Sequence, residues 1–338
     1  MRRSRDDHAP EGRGQVIGRQ IEYRWCRVHH VPNLAPQQLP AGYRNRSATT
    51  VDAQEIHRLV AACERELHGR VDTDPGAIVA DLAMPGLDLA VDTLLVHDSA
   101  GELVARAWVK GGRRAEIDVH PGHRGRGLGR WLLDWAELRA CQSGSERLAQ
   151  TVSDEDRAAI DLLRSHGYGP FVTQWLLAIA MPTEPTVPEP PAGITVRPFR
   201  PGDERAAYRL TEDAFDEWQK RRKSYDEWAR HTVERATFAP AASPAAFAGD
   251  HMVGAVLSVR TPGTDEGYIE RVAVRHDHRN RGIAGTLLQY AYRSFHQQGQ
   301  RTCTLWTHSE TGALPFYERL GMTVRRSSTV YGKPLTGR

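Results

Sequence analysis

The sequence predicts an α/β chain made of two copies of one unit, each a sheet flanked by helices. Three observations carry this. At 338 residues the chain exceeds what one hydrophobic core ordinarily organises and suits two domains of about 150 residues each. Landmarks recur at a near-constant offset: Gly42 to Gly193 is 151 positions, Arg124 to Arg279 is 155, and Gly167 to Gly321 is 154. Such an offset marks a duplicated unit with a few small length changes. Within each copy, apolar residues alternate with period two and then switch to helical spacing, as strands interleaved with helices do.

The totals exclude several classes. Hydrophobic content of 40% and charged content of 26% are ordinary for a soluble globular protein. A net charge of +3 is small for this length and implies no nucleic-acid partner. The four cysteines, Cys26, Cys63, Cys141 and Cys303, are widely spaced. They suggest neither a metal site nor a disulfide framework, and a cytoplasmic location is the simplest. No apolar run approaches the ~20 residues a membrane helix requires, so no membrane partner is expected. The start, Met1-Arg2-Arg3-Ser4-Arg5-Asp6-Asp7, lacks the apolar core of a secretory signal.

Taken in order, residues 1–18 read as a disordered tail. Residues 19–39 hold a strand alternating from Ile21 to Val28, then a proline connector. The first domain is expected over 40–181. Its strands fall near Tyr43–Ser47, Leu89–His97, Glu102–Lys110, Arg114–Val119 and Arg147–Val152, with Phe171–Ala180 closing its sheet. Its helices start near Thr50 (Ile56, Leu59 and Val60 on one face), Gly127 and Asp154. A proline-stiffened linker spans 182–192. The second domain, 193–338, repeats the order. Strands are expected at Ile194–Pro198, Ala245–Ala248, Met252–Arg260, Gly267–Val274, Thr302–His308 and Met322–Tyr331. Helices are expected up to Phe215, over Tyr225–Arg235, over Gly282–His296 and over Thr311–Leu320.

The most informative stretch is Arg279-Asn280-Arg281-Gly282-Ile283-Ala284-Gly285, after the strand that ends Val272-Ala273-Val274. It reads as a strand, a turn of exposed amides, and a helix opening at Gly282. Small residues admit a phosphate to the backbone, and the free amides and positive dipole of a helix N-terminus hold it. Arg279 and Arg281 add donors suited to phosphate oxygens. The first copy carries the same sentence: Val119, then Arg124-Gly125-Arg126-Gly127-Leu128-Gly129 and an apolar helix.

With Leu314-Pro315-Phe316-Tyr317-Glu318-Arg319-Leu320-Gly321 following the second copy, the chain resembles the GNAT superfamily of N-acetyltransferases, in its tandem two-domain form. The resemblance implies two GNAT-like domains, each a mixed, mostly antiparallel twisted sheet flanked by helices. It implies that the two Arg/Gly turns bind the acetyl-CoA pyrophosphate and that Val272, Ala273 and Val274 pair with the pantetheine arm. Tyr317 then stands at the family's general-acid position. Thr311 replaces a frequent asparagine that bonds the same arm.

Glu270 is the preferred general base, since a regular strand sets it on one face with Val272 and Val274. Related tandem members carry the acidic residue two positions earlier, where Tyr268 stands; His308 is a further rival. Phe215 and Trp218, amid carboxylates, are candidates for the wall holding a cationic acceptor. In the first copy Leu163 falls where Tyr317 stands and Asp118 where Ala273 stands, so that half is expected to bind or scaffold without catalysing.

The resulting expectation is an acetyl-CoA-dependent transferase acting on a primary amine of a small metabolite or natural product, as monomer or homodimer. A peptide or protein amine acceptor, or a non-catalytic acyl-CoA sensor, are the alternatives.

Overall fold

The computed structural model describes residues 38–335 apart from 72, 217–220 and 262. The expected strand around Trp25 lies outside the described residues, as does Trp218. The first half runs β1 (Arg44–Arg46), α1 (Ala53–His68), α2 (Pro75–Leu82), α3 (Leu89–Asp92), β2 (Thr93–His97), β3 (Leu103–Lys110), β4 (Arg114–Val119), α4 (Leu128–Gln142), β5 (Arg147–Ser153), α5 (Arg157–Ser165) and β6 (Gly169–Ala180). The second runs β7 (Thr195–Pro198), α6 (Glu204–Phe215), α7 (Tyr225–His231), β8 (Pro244–Ala248), β9 (His251–Arg260), β10 (Glu266–Val274), α8 (Ile283–Gln297), β11 (Thr302–His308), α9 (Leu314–Arg319) and β12 (Thr323–Pro334).

Both halves enter their first long helix by one device. The Arg46 guanidinium grips the Asp52 carboxylate at 2.7 and 2.8 Å, and Asp52 also accepts the Thr49 N–H at 2.7 Å. In the second half Arg197 grips Asp203 at 2.7 and 2.9 Å, and Asp203 accepts the Arg200 N–H at 2.8 Å. Each bidentate pair fixes the chain before the helix and places a carboxylate at its positive end. Ile56, Leu59, Val60 and Cys63 form the buried stripe of α1, which stops at left-handed Gly69.

The strand expected over Leu89–His97 begins four residues late. The Asp88 side chain accepts the Ala90 N–H and caps the short helix α3. α2 is an addition, although Asp74 as cap with Pro75 at the first turn is a helix-start signature.

The twelve strands form one sheet in the order β1-β2-β3-β4-β5-β12-β6-β11-β10-β9-β8-β7. Among the described strands β4–β5 and β10–β11 pair parallel and the rest antiparallel. The last strands of the halves are exchanged. β6, expected to close the first sheet, pairs with β11 of the second half from Gln174↔His308 to Ala180↔Thr302. β12 pairs with β5 of the first half from Ser328↔Ser153 to Pro334↔Arg147, and β6 and β12 lie side by side. Side-chain fit accounts for this. Leu177 and Met181 enter the second half's core beside Leu305 and Met322, while Tyr331 enters the first half's beside Leu133, Val152 and Leu163. Period-two patterning assigns faces to a strand and says nothing of which strand lies next to it.

In the second half α8 covers one sheet face, with Val253, Val256, Ile269 and Val274 packed against Leu287, Leu288 and Phe295. α6 covers the other, with Leu210 on Ala255 and Ala273.

Candidate active site

The turn between β10 and α8 is held open by its backbone. Asn280 has φ 59° and Gly282 has φ 80°, so the chain turns twice through left-handed conformations before the helix begins. Gly282 is the N-cap and no side chain caps the helix. A Cβ built on Gly282 meets nothing within 4 Å, so the space before the first amides is clear. Gly282 and Gly285 border an open cleft of about 430 Å³ together with Thr286, Gln289, Leu320 and linker residues Thr186, Val187 and Pro188. Uncapped amides at a positive dipole end suit an anion such as a pyrophosphate.

The arginines divide their work. Arg279 donates through Nε to the Val274 carbonyl at 3.3 Å, bracing the turn against the strand before it. Arg281 donates through Nη2 to the Ala192 carbonyl in the linker at 3.5 Å.

Beside this turn the sheet opens. Parallel pairing of β10 with β11 runs from Glu266↔Thr302 to Ile269↔Leu305 and ends there. Val272, Ala273 and Val274 continue to pair with Val256, Ala255 and Gly254 of β9 on their far side. The main chain of this stretch therefore borders the gap between β10 and β11, where an extended ligand can add as a strand.

A bulge changes the expected facing of Glu270. Ile269 pairs with Ser258 and Arg271 with Leu257, which leaves Glu270 as the extra residue. Val272 and Val274 consequently pack with Ile269 on the α8 side. Glu270 does not share their face: its carboxylate takes Arg235 Nη1 at 3.1 and 3.2 Å. Arg271 holds its guanidinium 5.7 Å from the Phe215 ring at the end of α6. Tyr268 lies beside Glu270; burial first, and then that carboxylate, raises its phenol above the ordinary value.

Tyr317 lies on the α8 side of the sheet, 9% exposed, in one cluster with Tyr292 and Phe295. Burial pushes its phenol up to about 12, which keeps it protonated at neutral pH. Glu270 and Tyr317 thus sit on opposite faces of the sheet, Glu270 directly after the last β10–β11 pair. Thr311 spends its hydroxyl locally, donating to the His308 carbonyl at 2.7 Å and accepting the Ala313 N–H at 3.2 Å. His308 sits 3.8 Å from Glu310 at the end of β11. Two arginines of the basic run before α7 are paired with the flanking helices: Arg221 bonds both oxygens of Glu227 on α7 at 2.8 Å, and Arg222 pairs with Asp213 on α6.

The first half repeats the turn. Gly125 has φ 74° and Gly127 φ 85°, again without a side-chain cap. Arg124 Nε donates to the Val119 carbonyl at 3.3 Å, the same brace as in the second copy. The cavity here is the larger, about 480 Å³, because α1 supplies a wall through Cys63, Glu64 and Leu67. Leu163 borders it where the second half has Tyr317. Burial pushes the Cys63 thiol up to about 12, so it is inert as a nucleophile.

β4 has no bulge: it pairs with β3 continuously from Arg114↔Lys110 to Val119↔Ala105. Its α1-side face is filled by charge. Arg106 pairs with Asp118 at 2.6 Å, Lys110 with Glu116 at 2.9 Å, and the Arg106 guanidinium lies 4.1 Å from the Trp108 ring. At the corresponding β9 and β10 positions Ala255, Leu257 and Val259 replace Arg106, Trp108 and Lys110, Ala273 replaces Asp118, and Arg271 replaces Glu116.

Sequence reasoning missed the bulge, the Arg235 partner, and Trp306, an exposed indole on β11. Only the last had a signal, a tryptophan at the position where alternation with Cys303 and Leu305 calls for the polar face. Among the described residues no group of three or more His, Cys, Asp or Glu side chains is placed to hold a metal, and no helix is long and apolar enough to cross a membrane.

Comparison with known proteins fits this picture. The family description "Acetyltransferase (GNAT) family" matches residues 205–322, and "Acetyltransferase (GNAT) domain" matches 91–170. A mycothiol acetyltransferase of Cellulomonas flavigena is 32% identical over 258 residues, 72% of this chain and 74% of that one. One from Saccharopolyspora erythraea is 30% identical over 246 residues, 67% of this chain and 80% of its own. Among solved structures, a GCN5-related N-acetyltransferase from Sphaerobacter thermophilus superposes with TM-score 0.75 at 32% identity, covering 88% of this chain and 97% of that one. A tandem GNAT protein from the clavulanic acid biosynthesis pathway shares the fold, with TM-score 0.68 at 18% identity and coverages of 88% and 99%.

Proposed function

We infer the reaction from one premise: this chain belongs to the GNAT acetyltransferase family, as two such domains in tandem. We propose that the second half transfers an acetyl group from acetyl-CoA to the primary amine of a small metabolite. The observation that carries this reading is the uncapped turn at Gly282 bordering a cleft, after a strand whose pairing with β11 ends just before Glu270, with Tyr317 on the opposite, α8 side of the sheet.

In this reading the amides at Gly282–Gly285 hold the pyrophosphate and the freed edge of Val272–Val274 aligns the thioester arm. Charge-assisted bonds of this kind contribute roughly 1.5–3 kcal/mol each. The neutral amine nitrogen attacks the thioester carbonyl carbon and a C–N bond forms. The C–S bond breaks, and the thiolate takes the Tyr317 phenol proton. The proton lost by the amine passes to Glu270 or to water. Acid and base on opposite faces suit this, because the amine arrives on one side of the acyl carbon and the thiol departs on the other.

The first half keeps the grip, with Val119, Arg124–Gly129 and a roomy cavity, but has leucine in place of the acid. It therefore binds an acyl-CoA without turning it over. The relatives named mycothiol acetyltransferase favour a small-molecule acceptor over a protein amine. The test is thiol release from acetyl-CoA against a panel of small amines. Release with none of them, while the protein still binds CoA, would replace this reading with a non-catalytic sensor.

A further inference from the structure

The acceptor side of the gap carries one more feature, Trp306. On β11, Cys303 and Leu305 point into the α8 core, so Thr304 and Trp306 point to the opposite face. Thr304 is paired with Tyr268, and the last β10–β11 pair is Ile269↔Leu305. Trp306 is thus the first residue of β11 beyond the pairing, and Glu270 is the first of β10. Tyr268 and Glu270 on one strand and Thr304 and Trp306 on the other share a face and form the two lips of the opening.

Trp306 is 43% exposed although β11 is an interior strand, between β10 and β6. Its neighbours along the strand, Leu305 and Thr307, are buried. An open indole there is neither edge protection nor core. The equivalent first-half residue, on β5, is Thr151, so the half without the acid also lacks the plate.

We propose that Trp306 determines acceptor specificity: the ring that carries the amine lies flat on the indole while its ammonium points across the gap to Glu270. The substrate class is a primary amine borne on a ring with an apolar or π face. Stacking on indole and attraction of a cation to its face act together in this arrangement, opposite a fixed carboxylate. A linear amine of similar size reaches Glu270 but leaves the plate uncovered. This inference deepens the amine-acetylation reading and rests on it for the reaction, though not for the binding.

The test compares the full-length wild type with Trp306→Ala and Trp306→Phe, using D-glucosamine, tyramine and 6-amino-1-hexanol as probes. Binding is read by calorimetry in the presence of CoA, and turnover by thiol release. The expected result is a wild-type preference of about tenfold in Kd for at least one ring amine over the chain amine. The sugar and phenyl arms tell which ring is meant. Trp306→Ala should erase that preference, with the loss falling on KM rather than kcat and the acetyl-CoA KM unmoved. Trp306→Phe should restore most of it. A wild type that does not prefer rings, or a preference that survives Trp306→Ala, overturns the proposal. A Trp306-dependent ring preference without thiol release would uphold the plate and overturn the acetylation instead.

Discussion

The two halves of this molecule bend the chain identically at their turns and differ in what surrounds them. Arg124 and Arg279 make the same 3.3 Å brace, and Gly127 and Gly282 cap their helices in the same left-handed conformation. Around this shared frame the first half has an unbulged β4, a charged plug of Arg106, Asp118, Glu116 and Lys110, and Leu163. The second half has a bulge at Glu270, alanines at 255 and 273, and Tyr317. The grip is a property of backbone and glycine and survives duplication. The reactive geometry depends on a handful of side chains and one inserted residue, and these are what the halves no longer share.

The largest way to break the comparison is to remove the proposed acid. Tyr317→Phe should lower kcat by roughly 10²–10⁴ while leaving acetyl-CoA affinity unchanged, measured by thiol release and equilibrium binding. Unaltered turnover would take Tyr317 out of the mechanism. The pH profile sharpens the point. A phenol at about 12 still holds its proton at pH 10, so donation should persist where an ordinary tyrosine is half ionised.

Next come the turns. Gly282→Glu puts a carboxylate and a strained positive φ at the grip, and should weaken acetyl-CoA binding by about 10- to 100-fold. Gly127→Glu, made in the other copy, should remove only the CoA held there. Counting CoA per chain by native mass measurement separates the two; a turnover loss in Gly127→Glu would mean the first half takes part in the reaction.

Smaller again is the plug. Arg106→Ala removes a buried guanidinium, leaves half-buried Asp118 without its partner and should destabilise the fold by about 1–3 kcal/mol, read as a lower denaturant midpoint. The least effect tests what the halves share. The Arg46 guanidinium holds the Asp52 carboxyl down at about 2, and Arg197, against the opposing effect of burial, holds Asp203 below its ordinary value. Depressed carboxyls contribute stability that is complete above the unfolded value near 4 and is lost as pH falls towards 2. Both helix starts should loosen together in that window, visible as paired loss of amide protection.

Much of this was legible in the residues. β4 and β11 have the bounds that alternation and flanking turns predict, and the repeat offset located both Arg/Gly turns and the Tyr317/Leu163 difference. What escaped was what periodicity cannot encode. A bulge adds one residue and reverses which side chains share a face, so Glu270 parts company with Val272 and Val274. The partner of Glu270 lies 35 residues away, beyond any local pattern. The exchange of β6 and β12 depends on which core receives Leu177 and Tyr331, a matter of shape rather than sequence order.

That exchange binds the fates of the two copies. Nicking the 182–192 linker should release nothing, because each fragment leaves a strand threaded through its sibling's sheet. Producing either copy alone would bare the flank of β5 or β11 and invite clumping through unsatisfied backbone. The copy with Leu163 in place of Tyr317 is still not spare: without β6 its sibling's β11 keeps β10 on one side and has no strand on the other.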